Sequence, residues 1–346
     1  MIYLDYSATT KIDEEVLKIT ENDLFTKVYE KDLGIYEKKV QDLLDTDLSV
    51  IFTSGATESN NYAIKGICQN SRKRTILTTY LEHSSTIETL NYLKEKGFNI
   101  VYLPLKDGII DLEKLKDLLT DDVCLVTMAS VASETGALQP ISKIGSMLKD
   151  KDIVFHCDMT QSIGKIDISF DNIDLVSFSA HKFYGPKGIG CLLKNKNLNL
   201  NPLIKGERIY NLGLINGLIK ALSNSLTDLK LKQKKVEDLY LYLEKSLNGL
   251  PNIIINKPKE NIPHILNISV KNYKPETFLH YLEMNDIYIS TKSACAKDND
   301  YSKAVYALTN DIEKASTSVR ISLSYKTKKS DLDKLLSVIE RNKHGR

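Results

Sequence analysis

The sequence predicts an α/β protein. A large domain would carry a mostly parallel seven-stranded sheet flanked by helices, and a smaller α+β domain would follow. Three observations carry this expectation. From about residue 50 to 195, short apolar runs alternate with amphipathic stretches. Seven such runs occur, enough for a wide sheet with helices on both faces. From about residue 210 the pattern changes to lysine-rich helical periodicity and then to shorter mixed elements.

The apolar runs are Ser49–Thr53, Arg74–Thr79, Asn99–Leu103, Val123–Ala129, Ile153–Cys157, Leu175–Ser179 and Ile189–Leu193. Each is too short for a stable helix and reads as a strand. Helical spacing appears between several of them, at Glu58–Cys68, Ser85–Lys96, Leu112–Leu119 and Ile141–Lys149. Leu212 to Leu247 reads as one long helix or two abutting ones, ended by Pro251 and Asn252. Then follow a strand (Ile265–Val270), a helix (Pro275–Met284), a strand (Ile287–Ile289), a polar loop around Ala294–Tyr301, a strand (Ser318–Leu323) and a terminal helix (Ser330–Asn342).

The chain has 346 residues, which predicts roughly two domains. Hydrophobic content of 42% and charged content of 27% exclude a disordered or fibrous chain. Lys plus Arg number 47 against 45 for Asp plus Glu, so nothing in the charge calls for a nucleic-acid partner or an anionic membrane. No apolar run approaches the ~18 residues of a spanning helix, and no secretory signal is visible at Met1-Ile2-Tyr3-Leu4-Asp5. The five cysteines, Cys68, Cys124, Cys157, Cys191 and Cys295, are scattered and form no CxxC pair. That disfavours a zinc site or a disulfide scaffold and makes a reducing cytoplasm the default.

Chemistry-bearing residues cluster at predicted strand ends, where open parallel sheets gather ligands. Lys182 follows the run ending at Ser179, within Ser179-Ala180-His181-Lys182-Phe183-Tyr184-Gly185-Pro186. A lysine so placed can form a Schiff base if its amine stays reactive, or it can be a solvated loop residue. Asp158 closes another strand and suits a partner for a pyridinium nitrogen, or a helix N-cap. Thr53-Ser54-Gly55-Ala56-Thr57 joins a strand to a helix start, where free N–H groups attract an anion. His83 can stack on a heteroaromatic ring or move protons, or merely pack. Cys295 alone lies in a polar loop, with Lys292 and Lys297 nearby to favour thiolate. The other four cysteines read as inert core. Arg320, a cation within a strand, wants either a substrate carboxylate or a structural salt bridge.

Taken together, these segments resemble a cysteine desulfurase of the class V aminotransferase group, a fold-type-I pyridoxal phosphate enzyme. The matching stretches are Tyr3–Thr10, Thr53–Asn60, Glu82-His83, Asp158–Lys165, Ser177–Gly190, Ser293–Cys295 and Val319–Leu323, in the family's order. The resemblance implies a role for each residue. Lys182 would carry pyridoxal 5'-phosphate through a Schiff base and serve as base. Asp158 would pair with the ring nitrogen, Gln161 with the ring's phenolic oxygen, and His83 would stack on the ring. Thr57, Ser179, His181 and the N–H of Ala56 would hold the phosphate. Arg320 would bind the substrate carboxylate, with Ser133 close to it. Cys295 would attack the sulfur of L-cysteine, leaving alanine and a persulfide for a sulfur-acceptor protein. The expected domains are 13–235 for the cofactor and 1–12 with 236–346 for the cysteine loop. A homodimer is also implied.

Three departures fall around the cofactor, the substrate or the partner subunit. Phe25–Ile35 lacks the family's Asn-Pro-Ser-rich stretch with its His. Ser133 replaces an Asn. In Glu207–Leu214, Asn211 replaces an Arg, and Leu214 replaces a Thr that reaches the partner subunit's phosphate site. A selenocysteine lyase on the same scaffold, a transaminase and a non-catalytic paralogue are the rival readings. Iron–sulfur scaffolds, tRNA thiolation, cofactor synthesis and selenium metabolism all stay open as destinations for the sulfur.

Overall fold

The computed structural model describes residues 1–69, 71–291 and 301–341. β1 (Ile2–Tyr3) is followed by α1 (Glu14–Asn22), α2 (Gly34–Leu44), β2 (Ser49–Thr53), α3 (Ala56–Cys68), β3 (Thr75–Thr78), α4 (Ser84–Glu95) and β4 (Asn99–Tyr102). Next come α5 (Leu112–Leu118), β5 (Val123–Ala129), α6 (Ile141–Leu148), β6 (Val154–Asp158), β7 (Leu175–Ser179) and β8 (Gly190–Lys194). Two helices follow, α7 (Leu212–Leu226) and α8 (Leu229–Asn248). After them lie β9 (Ile253–Ile255), β10 (Ile265–Val270), α9 (Pro275–Glu283) and β11 (Ile287–Tyr288). The last elements are α10 (Lys303–Thr309), α11 (Ile312–Ser316), β12 (Ser318–Ser322) and α12 (Lys329–Arg341).

All seven apolar runs become strands of one sheet, in the order β2-β8-β7-β6-β5-β3-β4. β8 runs antiparallel to both neighbours, and every other pair is parallel. Every residue of β5 is buried, as a strand covered on both faces must be. Ile64 and Cys68 of α3 and Leu90 and Leu93 of α4 cover one face. Val16 of α1, Val40 of α2, Ile144 of α6 and Leu218 of α7 join the core on the other. A second core packs α8, α9 and α12 against the sheet β9-β10-β12 and takes in Leu4.

The long helical stretch divides at Thr227-Asp228, where Asp228 adopts φ 52° and redirects the chain. A short ribbon of Lys27–Tyr29 paired with Ile209–Asn211 was not expected from sequence, nor were α1 and α2. No helix among the described residues is long and apolar enough to cross a membrane.

The first ten residues do not stay with one core. β1 pairs in parallel with β11, and the Ser322 N–H donates to the Leu4 carbonyl at 2.7 Å. Six residues later the Thr10 N–H donates to the His181 carbonyl at 2.9 Å, and Thr10 Oγ1 accepts from the Tyr184 N–H at 2.7 Å. Residues 4–10 therefore form a strap from the smaller sheet to the loop after β7.

Candidate active site

A cavity of about 780 Å³ opens at the carboxyl ends of β2, β5, β6 and β7. Ala56, Thr57, His83, Ser133, Asp158, Gln161, Ser179, His181, Lys182 and Arg320 all line it. Ten of the eleven residues singled out from sequence thus share one space. The eleventh, Cys295, lies outside the described residues, although Thr291 lines the cavity. The other four cysteines are buried. Burial raises the thiols of Cys157 and Cys191 well above the usual range, as inert core requires.

Lys182 ends the short turn Ala180–Lys182 that follows β7. Its Nζ donates to the carbonyl oxygens of Ser7 and Ala8, both at 2.7 Å. Burial and then the Arg320 charge pull its pKa down to about 8, while Asp158 and Asp5 oppose the shift. Part of the amine is therefore neutral, hence nucleophilic, at physiological pH.

Asp158, at the end of β6, is fixed through both oxygens. Oδ1 accepts from the Thr160 N–H at 2.9 Å, and Oδ2 accepts from Asn60 Nδ2 at 2.8 Å. Asn60 Nδ2 also donates to Ser85 Oγ at 2.9 Å, and Ser85 Oγ lies 2.9 Å from His83 Nδ1. The Ser85 N–H donates to the same Nδ1, so the neutral ring carries its proton on Nε2. His83 caps α4 and exposes its ring to the cavity, with Nδ1 turned to Ser85. That desolvation lowers its pKa and favours the neutral form.

Gln161 Nε2 donates to the Ser7 carbonyl at 2.9 Å, and its Oε1 accepts from Lys165 Nζ at 2.6 Å. One N–H of the amide stays available to the cavity.

The opposite end is built for an anion. The N–H groups of Ala56 and Thr57 open α3 and have no partner among the described residues. Gly55 adopts φ +147°, and a Cβ there would press on Ser179 Oγ at 3.3 Å. A Cβ on Gly190 would come 2.7 Å from the Gly55 Cα, so both glycines let this loop lie against β8. His181 Nδ1 lies 3.1 Å from Thr9 Oγ1, and burial followed by the Lys182 charge lowers its pKa to about 4. Glu58 ties the loop down, accepting from the Ser54 N–H at 2.7 Å and from Arg208 Nη2 at 2.8 Å.

Arg320 lies on β12. It lines the cavity, and it forms a salt bridge, Nη2 to Asp5 Oδ1, at 2.8 Å. Its Nη1 donates to the Ser133 carbonyl at 2.9 Å. Ser133 therefore contributes its backbone, which also accepts from Ser7 Oγ at 3.1 Å. Asn211 caps α7 by accepting from the Leu214 N–H at 3.0 Å, and Leu214 packs on its own large core. Asp5, Ser7, Asn60 and Lys165 went unnoticed as individuals. Three of these positions sit in stretches already picked out by resemblance, Tyr3–Thr10 and Thr53–Asn60, and Lys165 closes a third.

The cavity offers an anion pole, a reactive amine, a buried carboxylate and an imidazole. It suits an anionic aromatic group that condenses with an amine. No cluster of three or more metal-ligating side chains occurs among the described residues.

Comparison with known proteins agrees with this chemistry. The chain matches the family model "Aminotransferase class-V" over residues 2–209 and 207–335. It is 35% identical to a Clostridium botulinum protein named cysteine desulfurase IscS, covering 98% of this chain and 94% of that one. It is 36% identical to a mitosomal cysteine desulfurase of Trachipleistophora hominis, covering 93% and 81% of the two chains. A solved NifS-like protein superposes with a TM-score of 0.89 at 31% identity, covering 98% of both chains. A structure described as SspA in complex with cysteine gives 0.77 at 29% identity, covering 94% of this chain and 99% of that one. Proteins of this family generally depend on pyridoxal phosphate. With matches of this extent in sequence and fold, the chain belongs to the aminotransferase class-V family.

Proposed function

We propose that the protein is a pyridoxal 5'-phosphate-dependent cysteine desulfurase. It takes the sulfur of L-cysteine, releases L-alanine and hands the sulfur on from Cys295 to an acceptor protein. The observation that carries the reading is Lys182. Its amine, held near pKa 8, faces one cavity together with Asp158, His83 and Arg320.

The cofactor fits the donors present. Ala56, Thr57, Ser179 and His181 would hold its phosphate, Asp158 its ring nitrogen, Gln161 its ring oxygen and Lys182 its aldehyde carbon. His83 would lie against the ring. When bound, pyridoxal phosphate supplies an electron sink for the pair left at the substrate's α-carbon. Arg320 orients the substrate by its carboxylate. Lys182, neutral in part, takes the α-proton. The network Asn60–Ser85 keeps Asp158 and the His83 tautomer in place. The Cys295 thiolate attacks the substrate sulfur. The S–S bond forms, the C–S bond breaks with its electron pair to carbon, and protonation there, with return of a proton to the α-carbon, completes alanine. Relatives named cysteine desulfurase and the Ser293-Ala294-Cys295 context support this role for Cys295.

A homodimer acting in the cytoplasm belongs to the same proposal, as does the division of the chain into 13–235 against 1–12 with 236–346. Phe25, 98% exposed, and Ile209, at opposite ends of the ribbon, are exposed apolar side chains that a second copy could cover.

The test is the visible spectrum before and after L-cysteine, with sulfide and alanine assayed in the same tube. A cofactor band that responds, with equal sulfide and alanine under reductant, is expected. Cys295→Ala should keep the band and lose turnover. A band inert to L-cysteine but responsive to L-selenocysteine would replace this reading with a selenocysteine lyase. No band after added cofactor would replace it with a non-catalytic paralogue.

A further inference from the structure

We infer that Asp5 is a positioning residue for substrate selection: it holds the Arg320 guanidinium so that its free edge meets the α-carboxylate of an amino acid. The inference rests on the reading of Arg320 given under Proposed function. It adds a residue from the far end of the chain, which sets the preference for an amino acid over the corresponding amine.

The geometry is specific. Arg320 is 6% exposed, and its guanidinium is gripped on two different nitrogens. Asp5 Oδ1 takes Nη2 at 2.8 Å, and the Ser133 carbonyl takes Nη1 at 2.9 Å. Two acceptors on two nitrogens fix both the plane of the fork and its rotation. Nε is sealed from solvent and has no partner. Each Nη keeps one further N–H, and a carboxylate is the acceptor that matches such a pair.

Asp5 is itself immobilised. Ser290 Oγ donates to the same Oδ1 at 2.8 Å. The backbone of Asp5 bridges to Ser322, two residues beyond Arg320 on the same strand, and its carbonyl accepts from the Tyr3 hydroxyl at 3.0 Å. The alternative role for this carboxylate is opposition: an internal anion that competes with the substrate for Arg320. The two roles give opposite signs on removal of the charge.

The experiment uses the full-length, cofactor-loaded protein and two probes, L-alanine and ethylamine. They differ by the carboxylate alone. Dissociation constants come from titration of the visible band for wild type, Asp5→Asn and Asp5→Ala, with Ser290→Ala as a milder variant. Positioning predicts that Asp5→Asn weakens L-alanine by about tenfold or more and leaves ethylamine within about twofold. Asp5→Asn keeps the side-chain volume, and any change it makes in cofactor affinity or thermal stability would act on both probes alike. Ser290→Ala should give a smaller loss in the same direction. Equal weakening of both probes, an unchanged L-alanine constant, or tighter L-alanine binding would overturn the inference while leaving the desulfurase reading intact. Wild type that binds neither probe would overturn both.

Discussion

Lys165 Nζ donates to Gln161 Oε1 at 2.6 Å, a buried amine serving a buried amide. No carboxylate pairs with this lysine among the described residues. Burial, and after it the charges of Lys182 and Arg320, hold its pKa well below the usual lysine range. A neutral amine here donates without carrying charge into the core. Its bond settles which end of the Gln161 amide faces the cavity, so the N–H end is the one presented. Lys165→Met keeps the bulk and removes the donor. The pH midpoint of the loaded protein's visible band should rise by about one unit, because a ring oxygen anion loses its donor. Gln161→Leu should do the same, and the double variant should add nothing further. An unmoved midpoint in Lys165→Met would rule out the orienting role.

Glu82 gives a prediction about stability. Its Oε1 accepts from Thr79 Oγ1 at 2.6 Å, while Oε2 is enclosed without a partner. Burial raises its pKa from 4.5 to about 8. The folded state therefore holds a proton that the unfolded state releases between those values. Its favourable contribution is complete below pH 4.5 and disappears as pH rises through about 8. Glu82→Gln should be more stable than wild type at pH 8 by roughly 4 kcal/mol and no more stable at pH 4.5. Thermal midpoints across that range decide it.

The depressed pKa of Lys182 predicts how the empty protein takes up its cofactor. Only the neutral amine condenses with an aldehyde. Below about pH 8 the loading rate should climb roughly tenfold per unit, and above it the rate should level off. A lysine at the ordinary 10.5 would keep accelerating well beyond. Stopped-flow absorbance at several pH values measures this. Lys182→Arg should bind cofactor without forming the covalent band and should not turn over.

Asn60 lies 2.8 Å from Asp158 Oδ2 and also reaches Ser85. Asn60→Asp would set two carboxylates against each other, and one must keep a proton. The raised pKa makes the variant comparatively sound at low pH and progressively weaker as pH rises, in both cofactor retention and thermal stability. Asn60→Ala should lower turnover with little change in pH dependence. Fluorescence or absorbance of retained cofactor between pH 5 and pH 8 separates the two.

The sheet was legible because its strands are covered on both sides. A strand such as Val123–Ala129, buried at every position, leaves an unbroken apolar run that any reader can find. α1 was not, because Val16 and Thr20 are its only buried residues among charged neighbours. Lys182, Asp158 and His83 were legible because each stands at the end of a strand or beside one, within a recognisable local pattern. Asp5 and Asn60 were not, because their chemistry lies in partners far along the chain: Asp5 bonds Arg320 across 315 positions and Asn60 bonds Asp158 across 98. Arg320 kept two readings open; the geometry shows the salt bridge, to Asp5, and sets the residue on the cavity wall.

The strap of residues 4–10 sets a timetable for the molecule's birth. Ser7 is synthesised 315 positions before Ser322, the residue that holds both it and Leu4. The large sheet can form while the chain is still growing, since domains fold as their sequence emerges. The carbonyls that receive Lys182, and the carboxylate that pairs with Arg320, dock only once β12 exists. A chain without β12 thus lacks the Asp5–Arg320 pair and the seat of Leu4 and Ser7. The smaller sheet, made later, is what completes the wall of a cavity that the large sheet begins.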